Sequence, residues 1–221
     1  MEARLSKLNE NEILMYLGHR GQEITDEIKA QITSCIRQVE EVVTPRLVYR
    51  IVPLEDGKTQ EFLLDGNDVA RELEGCNRAV FLAVTLGNQI EQLLMKLEIR
   101  NLADAVIMDA VASVAVENIC NNFEQDLRVK VGLEGEYLTS RFSPGYGDLP
   151  LTVQGQWCNA LNTEKRIGLV VTTNHLMIPR KSVTAVMGIS DTPQKLRPSG
   201  CETCNMFRNC EYRKDGKHCH E

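Results

Sequence analysis

Three observations predict an α+β fold. Apolar residues recur at helical steps in separated stretches, β-branched runs bounded by turn residues lie between them, and the two kinds of element follow no steady strand–helix–strand alternation. The expected architecture is a mixed or antiparallel twisted sheet with flanking helices, followed by a short cysteine-rich tail. A chain of 221 residues can bury one substantial core plus a small appendage. Its hydrophobic fraction of 43% is that of a folded protein, which argues against disorder.

The elements follow in order. Asn9 and Glu12 stand at capping-box spacing before the apolar run ILMYL, which stops at Gly18, and predict a short helix. Ile28, Ile32, Ile36, Val39 and Val43 mark one buried face of a helix from about Thr25 to Val43, ended by Pro45. LVYRIVPL (47–54) and EFLLDG (61–66), separated by the turn-like EDGK, predict a two-stranded hairpin. Asn67 is expected to cap a short helix over DVARELEG, and RAVFLAVTLG (78–87) to form a buried strand. From Asn88 to about Lys130 the pattern is helical in two pieces, with a break near Arg100 and Asn101. Beyond it GLEGEYLTSRF predicts a strand, LTVQGQWCNALN (151–162) a helix, and residues 167–190 two further strands.

Pro193, Pro198, Ser199 and Gly200 form a hinge-like stretch that sets the expected boundary between a main domain, 1–192, and a tail, 193–221. From Lys195 on, six Lys/Arg stand against four Asp/Glu, so the tail is mildly basic on an acidic protein of net charge −6. That balance argues against a general nucleic-acid binder, which needs clustered cations. No apolar run reaches the roughly 18 residues of a membrane span, and MEARLSKLNENEI lacks the apolar core of a signal peptide, so a cytoplasmic location is expected.

The eight cysteines fall into two groups. Cys35, Cys76, Cys120 and Cys158 are scattered and read as small buried hydrophobes. Cys201, Cys204, Cys210 and Cys219 cluster as C-x2-C-x5-C-x8-C and supply four thiolates, enough for tetrahedral zinc or a [4Fe–4S] cluster. His218 and His220 flank the last cysteine and could replace it in a Cys3His zinc site. The spacing does not identify the metal.

SRFSPGYGDLPLTVQ (140–154) carries a different chemistry. Pro144-Gly145 fits the centre of a type II turn, and Gly147 allows a second close backbone approach. Around such a turn Arg141 offers a planar fork for a carboxylate, Tyr146 a ring to stack on, and the exposed backbone of the turn hydrogen-bonding groups for the edge of a heterocycle. The bland reading is an ordinary turn with a solvated arginine. Glu117 continues the small-residue series Ala103, Val106, Ala110 and Ser113 along the long helix; it is either exposed or aimed into a cleft, where it would bind an amine or a ribose hydroxyl.

Four stretches carry a resemblance: EILMYLGHRG (12–21), SRFSPGYGDLPL (140–151), KRIGL (165–169) and MIPRKSVTAVMGI (177–189). Together they resemble the S-adenosylmethionine-binding activation (reactivation) domain of cobalamin-dependent methionine synthase, especially its stand-alone versions. The R-x-x-P-G-Y element, Arg141 to Tyr146, is the most specific part. The resemblance implies that Arg141 holds the cofactor's carboxylate, that backbone near Ser143 meets the adenine, that Gly145 shapes the turn, and that Tyr146 and Glu117 contact the ligand. The family's N-terminal ligand-binding aspartate finds no matching aromatic-Asp-Trp context here and stays unassigned.

The activity so implied is support of reductive methylation of cob(II)alamin on a cobalamin-binding partner module, by positioning rather than acid–base chemistry. At 221 residues there is no room for homocysteine, folate and cobalamin modules, so action in trans is expected. The electron is expected from a flavodoxin- or ferredoxin-type donor, with an iron–sulfur cluster on the tail cysteines delivering or relaying it. The alternative is a non-catalytic S-adenosylmethionine sensor or corrinoid-protein docking scaffold with a structural zinc tail.

Overall fold

The computed structural model describes residues 1–19 and 22–194. The proposed metal ligands Cys201, Cys204, Cys210 and Cys219, with His218 and His220, lie outside the described residues.

Helix α1 (Glu10–Tyr16) begins where Asn9 accepts the Asn11 N–H at 2.9 Å. It ends at Gly18, φ +74°, where the Gly18 and His19 N–H groups return to the Met15 and Leu14 carbonyls in the pattern of a Schellman cap. Helix α2 (Asp26–Val42) is capped by Thr25, whose hydroxyl accepts from the Ile28 N–H at 3.3 Å, and it buries Ile32, Cys35 and Val39.

Strand β1 (Arg46–Pro53) does not form the hairpin its sequence suggests. It pairs antiparallel with β2 (Arg78–Thr85) along its whole length, Arg46 opposite Thr85 and Pro53 opposite Arg78. The segment 61–66 is instead an irregular plug over the sheet. Phe62 is buried and stacked on Phe81 with ring centroids 3.7 Å apart. The Leu63 N–H donates to Gln156 Oε1 at 3.0 Å and the Leu63 carbonyl accepts from Trp157 Nε1 at 2.8 Å, so side chains replace a strand ladder.

Helix α3 (Asn67–Glu72) follows, and Asn67 is not its cap. The Asp148 carboxylate, arriving from the Pro-Gly-Tyr turn, accepts the N–H groups of Asn67 (2.7 Å) and Asp68 (2.9 Å). The predicted break near residue 100 is real: α4 (Asn88–Arg100) ends at Asn101, whose side chain accepts from the Ala103 and Asp104 N–H groups and starts α5 (Leu102–Leu133).

Because α5 runs through Leu133, the strand expected over GLEGEYLTSRF shrinks to β3 (Tyr137–Leu138). Then come α6 (Val153–Leu161) and a short α7 (Thr163–Ile167) that starts after left-handed Asn162, φ +55°. In place of the two strands expected over 167–190 there are three: β4 (Val170–Val171) and β5 (Met177–Ile178), two residues each and paired as a hairpin, and the long β6 (Ser182–Ser190).

The main sheet has the order β1-β2-β6-β3 and is antiparallel throughout. Its two faces are both covered. Val80, Leu82, Val84, Met187 and Ile189 pack against α1, α2, α4 and α5, while Ala79, Phe81, Ala83 and Val186 pack against α3, α6 and α7. A strand buried on both faces reads as a continuous apolar run, as β2 does.

Cys35, Cys76, Cys120 and Cys158 are buried free thiols, as their scattered placement suggested. Burial pushes the first two up to about 11 and Cys120 up to about 12, and raises Cys158 as well. Among the described residues, no helix is long and apolar enough to cross a membrane.

Candidate functional site

The site begins with a one-residue irregularity at the sheet edge. Leu138 pairs with Ile189, and Phe142 pairs with Val186 through two backbone bonds of 2.9 and 2.8 Å. Between those pairs the edge segment uses one residue more than β6, in the manner of a β-bulge. The extra residue reverses the faces: Leu138 lies in the core on the α5 side, whereas Phe142, also even-numbered, lies in the opposite core. Arg141, next to Phe142, is thereby turned toward α5.

Several backbone groups freed by this departure find partners. Arg128 donates to the carbonyls of Leu138 (2.6 Å) and Thr139 (3.3 Å), the Ser140 N–H donates to Glu72 Oε1 (3.0 Å), and the Thr139 N–H donates to the Gly188 carbonyl (2.9 Å).

Arg141 is 18% exposed and spreads its guanidinium over three partners on α5: Glu124 at 2.9 Å, Glu117 at 3.3 Å, and the Asn121 side-chain oxygen. Besides these three bonds it lies within side-chain hydrogen-bond reach of Cys120. Burial works against its charge, but Cys120, Glu117 and Glu124 outweigh it and hold the guanidinium above its ordinary value. Glu124 also takes Arg128 at 2.8 Å, so two arginines and two glutamates form one charge-balanced chain.

The turn after Arg141 has the expected form. The Tyr146 N–H donates to the Ser143 carbonyl at 3.1 Å, Pro144 is buried, and Gly145 has φ +92°. A Cβ at Gly147 would collide with the Asp68 carboxylate, which fixes that glycine as well. Tyr146 itself is 62% exposed at the rim.

One residue that the sequence reading passed over joins this group. Tyr16, half-exposed at the end of α1, has its phenol raised by burial, then by Glu117, Tyr146 and Glu12, with Arg141 opposing. The bonds of Arg141 to Glu117, Asn121 and Glu124, and the electrostatic coupling of Tyr16 to Glu117, Tyr146 and Arg141, bring these six residues together. Glu124 was readable in principle, being seven residues beyond Glu117 and so on the same helical face. Tyr16 sat within the ILMYL run, where its helix masked it as a core residue.

Elsewhere on α5, Ala103 and Val106 line an apolar cavity of about 680 Å³ together with Leu14, Leu17, Ile28 and Ile107. Among the described residues there is no cluster of three or more His, Cys, Asp or Glu able to hold a metal ion.

No family model matches the chain, and no curated protein matches it. Among solved structures it is similar to the crystal structure of the MetH reactivation domain bound to AdoHcy. The two share 14% identity with a TM-score of 0.61, over 96% of this chain and 82% of that one. At that identity the likeness establishes a common fold, the α+β architecture described above.

Proposed function

We propose that this protein binds S-adenosylmethionine in the cleft between α5 and the 140–148 turn, and serves as the activation domain for a cobalamin-binding partner module. The observation that carries this is the Arg141–Glu117 ion pair at 3.3 Å, set in a fold shared with a domain solved with AdoHcy. A zwitterionic amino-acid group complements such a pair: its carboxylate pairs with the Arg141 guanidinium and its ammonium with Glu117. The tyrosines Tyr16 and Tyr146 bound the space above it, and backbone of the Ser143 turn supplies groups for the base.

The bound ligand supplies an electrophilic methyl group. The chain's own work is to orient it and to hold its charged end, which needs no general acid or base. In this reading the partner module presents cobalamin and is the same methionine synthase system, or a related corrinoid protein, that the chain serves in trans. The cysteines at 201, 204, 210 and 219 are proposed to hold an iron–sulfur cluster that relays an electron from a flavodoxin- or ferredoxin-type donor.

Titration calorimetry with S-adenosylmethionine and S-adenosylhomocysteine tests the binding reading. Micromolar or tighter binding is expected, and none at concentrations well above micromolar sinks it. Metal analysis of anaerobically purified protein tests the tail. Iron with a redox-active absorbance is expected, Cys204→Ser is expected to lose it while sparing ligand binding, and colourless protein holding zinc and no iron overturns the electron relay.

A further inference from the structure

We propose that Lys181, Ser113 and Asp109 form the diol-binding end of the same cleft, taking the ribose hydroxyls of the S-adenosyl ligand. This rests on the ligand reading above and extends it to residues that neither the turn motif nor the ion pair includes.

Helix α5 is buried along most of its length, yet one stripe stays open: Val106, Asp109, Ser113, Glu117 and Asn121. Val106 belongs to the apolar cavity, and the polar members Asp109, Ser113, Glu117 and Asn121 form the α5 side of the proposed ligand site. Lys181 stands just before β6, in step with Val183, Met187 and Ile189, which pack on the α5 side of the sheet. Its ammonium donates to Asp109 Oδ1 at 2.7 Å and to Ser113 Oγ at 2.8 Å. An ammonium has three donors, and among the described residues two are taken.

Two features separate this cluster from a mere tie between strand and helix. The lysine is only 12% exposed while its carboxylate partner is 54% exposed, so the acceptor side of the pair faces outward, open to a ligand. Donor and acceptor also stand next to each other, which matches a vicinal diol: one hydroxyl accepts from Lys181 and the other donates to Asp109. A carboxylate on ribose hydroxyls is a recurring solution in nucleotide-binding folds.

The spacing fits as well. Ser113 and Asp109 lie one and two turns along α5 from Glu117, roughly 6 and 12 Å. With the amino-acid end of the ligand on Arg141 and Glu117, its carbon chain and sulfur carry the ribose along the helix toward Ser113.

Calorimetry with S-adenosylhomocysteine and its 2′,3′-dideoxy analogue tests this. The wild-type protein is expected to favour the hydroxylated ligand by about tenfold or more, the scale of a hydrogen bond to a charged group. Lys181→Met and Asp109→Asn are expected to bring that preference close to unity, whereas Arg141→Ala weakens both ligands and preserves it. Asp109 is exposed, so its variant keeps the test readable if Lys181→Met fails to fold. Variants that lower thermal stability or both affinities while leaving the preference intact overturn the diol site. Absence of any binding to the wild-type protein overturns the ligand reading itself, before a variant is made.

Discussion

Asp148 and Asp68 hold each other by the backbone. The Asp148 carboxylate accepts the N–H groups of Asn67 and Asp68 at 2.7 and 2.9 Å, and the Asp68 carboxylate accepts the Asp148 N–H at 3.2 Å. The pair joins the start of α3 to the end of the 140–148 turn, which is why the Gly-Asp after the Pro-Gly-Tyr belongs to the motif.

Those N–H bonds, from Asp68 first and Asn67 next, lower the Asp148 pKa. A lowered folded-state pKa stabilises the fold above the ordinary carboxylate value of about 3.9, and the contribution is lost as pH falls through the lowered value. Asp148→Asn is therefore expected to melt below the wild-type protein at pH 7, with the gap closing below about pH 4. Thermal unfolding at several pH values reads this, and a gap independent of pH contradicts it.

Arg141 serves two carboxylates and an amide with one planar fork, a task that a point charge cannot reproduce. Arg141→Ala is expected to weaken S-adenosylhomocysteine by about 1.5 to 3 kcal/mol, and Arg141→Lys to recover only a minor part of it. Full recovery by lysine would show that charge alone matters.

Tyr16 offers a spectroscopic check on the cleft's geometry. After burial, Glu117 is the largest cause of its raised pKa, and Arg141 opposes. Glu117→Gln is expected to bring the phenol down toward 10, and Arg141→Met to move it further up. NMR titration of the tyrosine ring carbon resolves Tyr16 from the other tyrosines, and shifts of the opposite sign would mean that the three residues do not share one cleft.

Much of this was legible in the sequence for identifiable reasons. The 3.6-residue period and the Asn101 punctuation located α4 and α5, and Pro144-Gly145 fixed the turn, because each depends only on near neighbours. What escaped was non-local. EFLLDG has the composition of a strand, but its Phe62 and Leu63 find their partners in Phe81, Gln156 and Trp157, far along the chain. Asn67 resembled a cap because nothing local announces that Asp148 occupies that role. The partners of Arg141 likewise lie on a helix that ends before the turn begins.

Trp157 tests the plug directly. It is fully buried, meets Phe81 edge-on at 4.9 Å, and donates to the Leu63 carbonyl. Trp157→Phe removes that donor and leaves a carbonyl unpaired, with an expected cost of about 1 to 3 kcal/mol in denaturant unfolding. A loss below about 0.5 kcal/mol would mean that the bond to segment 61–66 contributes little.

The extra residue between Leu138 and Phe142 makes the side on which Arg141 stands a matter of register. Strict alternation from the Leu138–Ile189 pair would set Arg141 opposite Val186, in the layer of Phe81 and Trp157, where nothing compensates a cation. Deleting Ser140 would instead absorb the irregularity and leave Arg141 opposite Met187, still toward α5. The R-x-x-P-G-Y sequence therefore orients its arginine only together with the pairing that precedes it. A relative that keeps the motif but lets the edge run on without the bulge would carry the signature without the ion pairs.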